Sequence, residues 1–262
     1  MNKNFKEIIF RHPLLYSVYL TSRNFSLSSI LKANSYKVKD IVVCGMARSG
    51  STLLFNIIKE MVNFHYRKID PYFIDDSEYS NLLNHEISLF IKKNHRYSFS
   101  LQRRLKKKLT FGFFTHRDIR DVVVSLMQNG RITDFNKWSA DGRLRKIVND
   151  ALLYARTGNV MMIEYEDLLN NKLKVIDIIA DNLKLNLFPE EEQSIVEKTD
   201  LVSTKKLLSA KETDTIDLAN HLHKNHISDG KVGKWKEILT KEQIAYINSS
   251  TKDFLDFFHY KT

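Results

Sequence analysis

The sequence predicts an α/β protein of a single domain, a parallel β-sheet flanked by helices on both faces. Three observations carry this expectation. Short runs rich in β-branched and aromatic residues alternate with longer stretches of helical apolar spacing, the order that builds βαβ units. The strand-like runs are apolar throughout instead of alternating, as strands covered on both faces are. A chain of 262 residues with 43% apolar content and only three prolines can bury one sizeable core and has no low-complexity linker.

The elements follow in order. Residues 1–37 read as a helical lead-in to a domain spanning 38–262. Residues 40–44 (DIVVC), ended by Gly45, read as a buried strand. Residues 51–64 have the apolar spacing of a helix. Residues 88–95 and 109–115 read as the second and third strands. Residues 119–129 read as a helix with Asp118 as its N-cap and Gly130 as its stop. Another helix covers 143–156, and a fourth strand covers 160–164 (VMMIE). Helical patterns dominate 167–199, a polar loop with two glycines covers 220–234, and a terminal helix covers 240–258.

A net charge of +10 favours anionic partners such as nucleotides and sulfated or phosphorylated ligands, without choosing among them. Cys44 is the only cysteine, so an intrachain disulfide is excluded and nothing points to an oxidising compartment. The apolar run from Leu14 to Leu20 holds Ser17 and two tyrosines. It is too short and too polar to span a bilayer, and it lacks a signal-peptide core. No stable membrane anchor and a cytoplasmic location are therefore expected. The basic run 103–108 (RRLKKK) reads as a solvated helix face.

The chemistry begins between the first strand and the first helix. Gly45-Met-Ala-Arg-Ser-Gly-Ser-Thr52 has the pattern G-x-x-x-x-G-x-T of a phosphate loop, which makes the expected sheet P-loop-type. Glycines let the backbone curl so that N–H groups and a helix N-terminus point at an anion. A nucleotide triphosphatase has Lys before the final Ser or Thr. Here Ser51 stands in that place, and the cation sits inside the loop as Arg48. A single phosphate carrying another group fits this better than a triphosphate with magnesium.

Ala47-Arg-Ser-Gly-Ser-Thr52 resembles the 5′-phosphosulfate loop of sulfotransferases that use 3′-phosphoadenosine 5′-phosphosulfate (PAPS). Phe113-Phe-Thr-His-Arg117, followed eight residues after the arginine by Ser125, resembles the family's strand–turn–helix around the 3′-phosphate. Arg117 would give a charge-assisted fork and Ser125 a hydroxyl donor. Glu164-Tyr165-Glu166-Asp167-Leu168 resembles the family's Tyr-Glu-Asp-Leu, whose tyrosine contacts adenine; a part-buried core tyrosine is the plainer alternative for Tyr165. Asp229-Gly-Lys-Val-Gly-Lys-Trp235-Lys resembles the C-terminal loop that closes over the nucleotide.

The resemblance covers residues 40–240 and implies a PAPS-dependent sulfotransferase that needs no metal. Its nucleotide would be held by Arg48, Ser49, Gly50, Ser51, Thr52, Arg117, Ser125, Tyr165, Thr199, Gly230 and Lys231. The chain departs from the pattern in several places. Ser228-Asp229 stands where the family has Arg-Lys, with Lys231 as the replacement cation. Leu53 and Leu201 stand where aromatics stack on adenine. The usual dimerisation motif is degraded at Lys241 and Ala245, although Lys236 and Thr240 match.

Sulfuryl transfer needs in-line attack, stabilisation of charge on the leaving oxygen and removal of the acceptor proton. Arg48 is placed for the leaving 5′-phosphate. The resemblance to the family's Lys-Thr-His puts the base at His95 and makes Lys93, on the same strand face, a ligand for the transferring sulfuryl oxygens. The rival base is a carboxylate among Asp75, Asp76 and Glu78. His116 neighbours Arg117 on a strand and so points to the opposite face. His221, His223 and His226 lack metal-ligand spacing and read as polar loop. The acceptor is expected to be a small molecule or a glycan, with no nucleic-acid partner. A P-loop kinase and a non-enzymatic polyanion binder are the competing readings.

Overall fold

The computed structural model describes residues 40–64, 69–73, 89–94, 97–200, 204 and 230–261. A five-stranded sheet forms in the order β2-β3-β1-β4-β5, and every pairing in it is parallel. The strands are β1 (Asp40–Gly45), β2 (Ile69–Phe73), β3 (Leu89–Lys93), β4 (Thr110–His116) and β5 (Val160–Glu164). The helices are α1 (Ser51–Asn63), α2 (Phe99–Lys106), α3 (Ile119–Gln128), α4 (Phe135–Ala140), α5 (Arg143–Ala155) and α6 (Tyr165–Asn170). They continue as α7 (Lys172–Leu183), α8 (Pro189–Lys198), α9 (Trp235–Ile238), α10 (Lys241–Ser250) and α11 (Lys252–Phe257).

The expected single-domain α/β architecture is present because each central strand feeds two cores. Successive side chains of a strand leave opposite faces. Val42 and Cys44 of β1, with Phe114 of β4, pack among residues of α2, α3, α5, α10 and α11. Ile41 and Val43, with Phe113 and Ile163, pack among residues of α1, α7 and α8. Burial on both faces is why β1 reads as a continuous apolar run, and all six of its residues are buried.

Where the structure differs from the sequence reading, the reasons are local. The strand Ile69–Phe73 was not anticipated. It carries Pro71, which argues against a strand interior, but β2 lies at the sheet edge, where a missing N–H is tolerated. The basic run rides on α2, which Ser98 caps by accepting the Leu101 N–H at 3.2 Å. Arg104 within it is buried, whereas Lys106, Lys107 and Lys108 are exposed. The helical stretch 167–199 divides into α6, α7 and α8, with Lys184 left-handed at the end of α7 (φ 57°) and Pro189 opening α8. The terminal helix breaks at Thr251, whose φ of −128° leaves the helical region and whose hydroxyl donates to the Ile247 carbonyl at 2.8 Å. The lead-in 1–37 lies outside the described residues. Among those described, no helix is long and apolar enough to cross a membrane.

At the amino end of the sheet, Asp40 of β1 accepts from Arg104 Nη2 at 2.9 Å and from the Thr110 hydroxyl. Both members of this ion pair are almost fully buried, at 1% and 3% exposure. It ties α2 to the starts of β1 and β4. Removing one partner takes this ion pair away from a charge that stays buried. Asp40→Ala should therefore lower stability by about 3–5 kcal/mol in urea denaturation. A double variant, Asp40→Leu with Arg104→Met, should recover most of that loss. Equal destabilisation by the single and double variants would show that shape, not charge, is what matters here.

Candidate active site

Strands β1, β3, β4 and β5 end side by side, with Val43 opposite Lys93, Gly45 opposite Thr115, and His116 opposite Glu164. In open parallel sheets the crevice outside the carboxyl ends of the strands receives ligands where the connections diverge. That point is β1, flanked by β3 on one side and β4 on the other. The phosphate loop, Lys93, Arg117 and Tyr165 all lie at or just beyond this edge.

Close approach explains both loop glycines. A Cβ on Gly45 would lie 2.1 Å from Thr115 Oγ1. Gly50 has φ 84°, and a Cβ there would lie 2.8 Å from the Tyr165 ring. Arg48 is also left-handed, with φ 62°. Helix α1 begins at Ser51 with no side-chain cap. A helix N-terminus whose N-cap residue offers no side-chain acceptor suits an anion.

Ser49 is engaged within the protein through its hydroxyl. Its hydroxyl is fully buried and lies 2.7 Å from the Met46 carbonyl, 3.0 Å from the Thr115 carbonyl and 2.7 Å from the Thr115 hydroxyl. Its side chain staples the loop to β4.

Lys93 lies on the α1 side of the sheet, the face shared by Ile91 and Val43. Its ammonium donates to the hydroxyl of Thr52, in the first turn of α1. Only 3% of the residue is exposed. Burial pulls its pKa down to about 8. A cation beside the positive end of a helix is unfavourable unless an anion joins it.

The second cationic group forms across the loop. Arg48 Nε donates to Ser125 Oγ at 3.0 Å. Arg117 donates through Nη1 to the Arg48 carbonyl at 3.3 Å and through Nη2 to the Lys231 carbonyl at 2.7 Å. Its guanidinium stacks 4.3 Å from the centre of the Tyr165 ring, and its buried Nε has no partner among the described residues. Asp118 caps α3 through the Arg120 N–H at 2.9 Å. That cap turns the chain from strand to helix, and Ser125 then lies about two helical turns along. The eight-residue spacing therefore returns Ser125 to the side of Arg117 and Arg48. Asp118 itself pairs with Arg120 at 2.7 Å and does not neutralise Arg117. Burial, and then the Arg131 charge, hold Arg48 below the ordinary guanidinium value, with Arg117 acting in the same sense and Tyr165 opposing.

The remaining expected residues divide. Tyr165 is 7% exposed and forms a floor beneath Gly50 and Arg117. The Thr199 hydroxyl is spent on the Ile195 carbonyl at 2.7 Å, and the Thr199 carbonyl accepts from Lys172 at 3.1 Å. Gly230 is buried and left-handed, with φ 74°. Lys231 is exposed and contributes its carbonyl to Arg117. Thr240 caps α10 by accepting from the Gln243 N–H at 3.2 Å. His116 points away from the loop, 2.8 Å from the Tyr260 hydroxyl and stacked 4.2 Å from Phe258, and burial lowers its pKa to about 4. His95, Asp75, Asp76, Glu78, Leu201, Ser228, Asp229 and the histidines at 221, 223 and 226 lie outside the described residues.

Sequence reasoning passed over Arg120 and Asp121, each only 1% exposed. The available signal was the run Arg117-Asp-Ile-Arg-Asp121, four charges in five residues between an apolar strand and an apolar helix.

Lys93 links this geometry to stability. Its folded pKa lies below the unfolded value, so between about pH 8 and the ordinary lysine value near 10.4 the unfolded chain holds the extra proton, and stability rises with pH. Below that window the buried charge opposes folding by about 3 kcal/mol. Lys93→Met should raise ligand-free stability at pH 7 by roughly that amount. It should also abolish the difference between pH 7.5 and pH 10 attributable to this residue, as read by urea denaturation. A destabilised variant would mean that the ammonium is compensated inside the fold.

The comparisons with known proteins agree with this architecture. Among solved structures, mouse sulfotransferase SULT7A1 complexed with PAP superposes with a TM-score of 0.66 at 18% identity, covering 91% of each chain. Retinol dehydratase in complex with androsterone and inactive cofactor PAP gives 0.59 at 19% identity, covering 82% of this chain and 80% of the other. Retinol dehydratase in a complex with retinol and PAP gives 0.61 at 20% identity, covering 87% and 86%. A search of curated proteins finds no significant match. The sulfotransferase domain model matches residues 38–257, nearly the whole chain. The loop, the Arg117–Ser125 pair and the parallel sheet that joins them are thus parts of one domain, and the chain belongs to the sulfotransferase family.

Proposed function

We propose that this sulfotransferase moves the sulfuryl group of PAPS onto a hydroxyl or amine of a small-molecule acceptor held at the carboxyl ends of the strands. The observation that carries this reading is the placement of two cationic groups beside one loop. Lys93 lies under the start of α1, and Arg48 meets Ser125 through its side chain and Arg117 through its carbonyl. Two anion sites joined by a short backbone suit a nucleotide with phosphates on both its 5′ and 3′ positions. The orphaned Nε of Arg117 is a buried donor that a phosphate oxygen would satisfy.

Bound PAPS supplies the activated sulfuryl group, and the chain's own residues do the rest. Arg117 and Ser125 hold the 3′-phosphate. The loop N–H groups and Arg48 hold the 5′-phosphate and stabilise negative charge on it as the sulfur–oxygen bond breaks. Lys93 stabilises the equatorial sulfuryl oxygens. His95 takes the acceptor proton as the new sulfur–oxygen or sulfur–nitrogen bond forms. Lys231 stands in for the cation lost at Ser228-Asp229. No metal is required, because protein cations and N–H groups provide the electrostatic stabilisation. The PAP in the neighbouring structures supports the choice of donor, and the retinol and androsterone in them favour a small-molecule acceptor over a glycan. A P-loop kinase is disfavoured by Ser51 in the place of the triphosphate lysine.

Calorimetry tests the donor. PAP should bind without magnesium and more tightly than ATP–magnesium. Arg117→Ala should weaken PAP roughly ten- to a hundredfold but change adenosine 5′-phosphosulfate little, since only PAP carries the 3′-phosphate. An equal loss for both ligands would remove Arg117 from the 3′-phosphate site.

Turnover tests the base. His95→Ala should retain PAP affinity and lose about 10²–10⁴-fold in rate, and it should lack the rise in rate through about pH 6–7 that imidazole deprotonation gives the parent enzyme. An active His95→Ala enzyme that keeps this limb would move the role to Asp75, Asp76 or Glu78, and Asp75→Asn, Asp76→Asn and Glu78→Gln would then identify which.

A further inference from the structure

The first turn of α3 does more than follow Arg117. Asp121 is its third residue, a position where an acid commonly reaches back to its own helix start. Here both oxygens serve a distant segment instead. Oδ2 accepts the Gly233 N–H at 2.7 Å, and Oδ1 accepts the Trp235 N–H at 3.2 Å. Arg120 stacks on the Trp235 indole at 3.9 Å while its fork is held by Asp118. Arg117 takes the Lys231 carbonyl of the same segment at 2.7 Å. Three side chains from positions 117, 120 and 121 thus grip residues 231, 233 and 235.

Burying a carboxylate this completely requires strong hydrogen bonds in return. The two amides provide them, and they also divert the carboxylate from Arg117, to which its nearest approach is 3.8 Å. Asp121 therefore fixes the segment while staying within ion-pair distance of Arg117, without a direct hydrogen bond to its fork. Arg117 sits at the junction. The guanidinium that would hold the phosphate also holds Lys231, so the position of the segment and the aim of the fork are mechanically one arrangement.

We propose that Asp121 is a positioning residue for nucleotide binding: by holding the Gly233 and Trp235 amides it keeps the 231–235 segment against Arg117, and so aims Arg117 at a 3′-phosphate. This rests on the PAPS reading above and deepens it. The site discriminates nucleotides bearing a 3′-phosphate from those lacking one through a carboxylate that does not itself touch the ligand.

The test compares the parent protein with the isosteric Asp121→Asn variant, whose amide group cannot accept both N–H groups. PAP affinity should fall about tenfold or more, while adenosine 5′-phosphosulfate affinity should change less than about threefold. A merely structural role would weaken both ligands alike. Amide hydrogen exchange at Gly233 and Trp235 should also be roughly tenfold faster in the variant. If the variant fails to fold, the parent protein carries the test alone: PAP should slow exchange at these two amides, and adenosine 5′-phosphosulfate should not. Unchanged PAP affinity in a folded Asp121→Asn protein, or parent amides indifferent to PAP, would overturn the proposal and leave the donor assignment standing. A parent protein that does not bind PAP at all would overturn the donor assignment itself, and this proposal with it.

Discussion

Positive charge held in a poorly solvated place is the constraint around which this domain is organised. Lys93 is buried against Thr52, and Arg117 is buried between the loop and the Tyr165 ring. Among the described residues Lys93 has no carboxylate partner, and Arg117 approaches Asp121, which also holds two backbone amides, at 3.8 Å. The buried Lys93 charge opposes folding, and the surrounding fold must over-determine it. The two apolar cores on either side of β1 supply that rigidity.

The staples around the site share one logic. Side chains that shape the crevice are bound to other parts of the protein. Ser49 binds the loop to β4 through Thr115. Tyr165 closes the space beside Gly50, where no other residue would fit. Arg120 joins Asp118, the Trp235 indole and the Lys261 carbonyl, at 2.6 Å for the last, and so ties the chain's end to the helix that carries Ser125. The crevice is therefore built from segments separated by more than a hundred residues, and small displacements of one are transmitted to the others through short, buried contacts.

Much of this was legible in the chain because it depends on local rules. The strands β1 and β5 read directly from their β-branched apolar runs, and α3 from its Asp118 cap and the Gly130 stop. The phosphate loop is a local motif whose glycines answer steric needs that sequence spacing exposes. The strand β2 was missed because Pro71 is a local argument against a strand, and only the sheet's order reveals that the residue sits on an edge. The single helix expected at 240–258 was two, divided at Thr251, whose φ of −128° leaves the helical region, which apolar periodicity does not register.

The sequence by itself determined the fold class, the loop and the Arg117–Ser125 spacing, because each follows from short-range geometry: helical pitch, strand alternation and glycine's freedom. It also determined that the loop arginine replaces the triphosphate lysine. Only the tertiary structure decided what each polar group is spent on. Ser49 and Thr199 look alike as candidate ligands in one dimension, yet both hydroxyls are consumed by carbonyls. Asp121 looks like an ordinary first-turn acid, yet it holds amides 112 and 114 residues away. Hydrogen-bond capacity is allocated by proximity in space, and proximity between the start of α3 and the 231–235 segment exists only once the sheet has closed both cores.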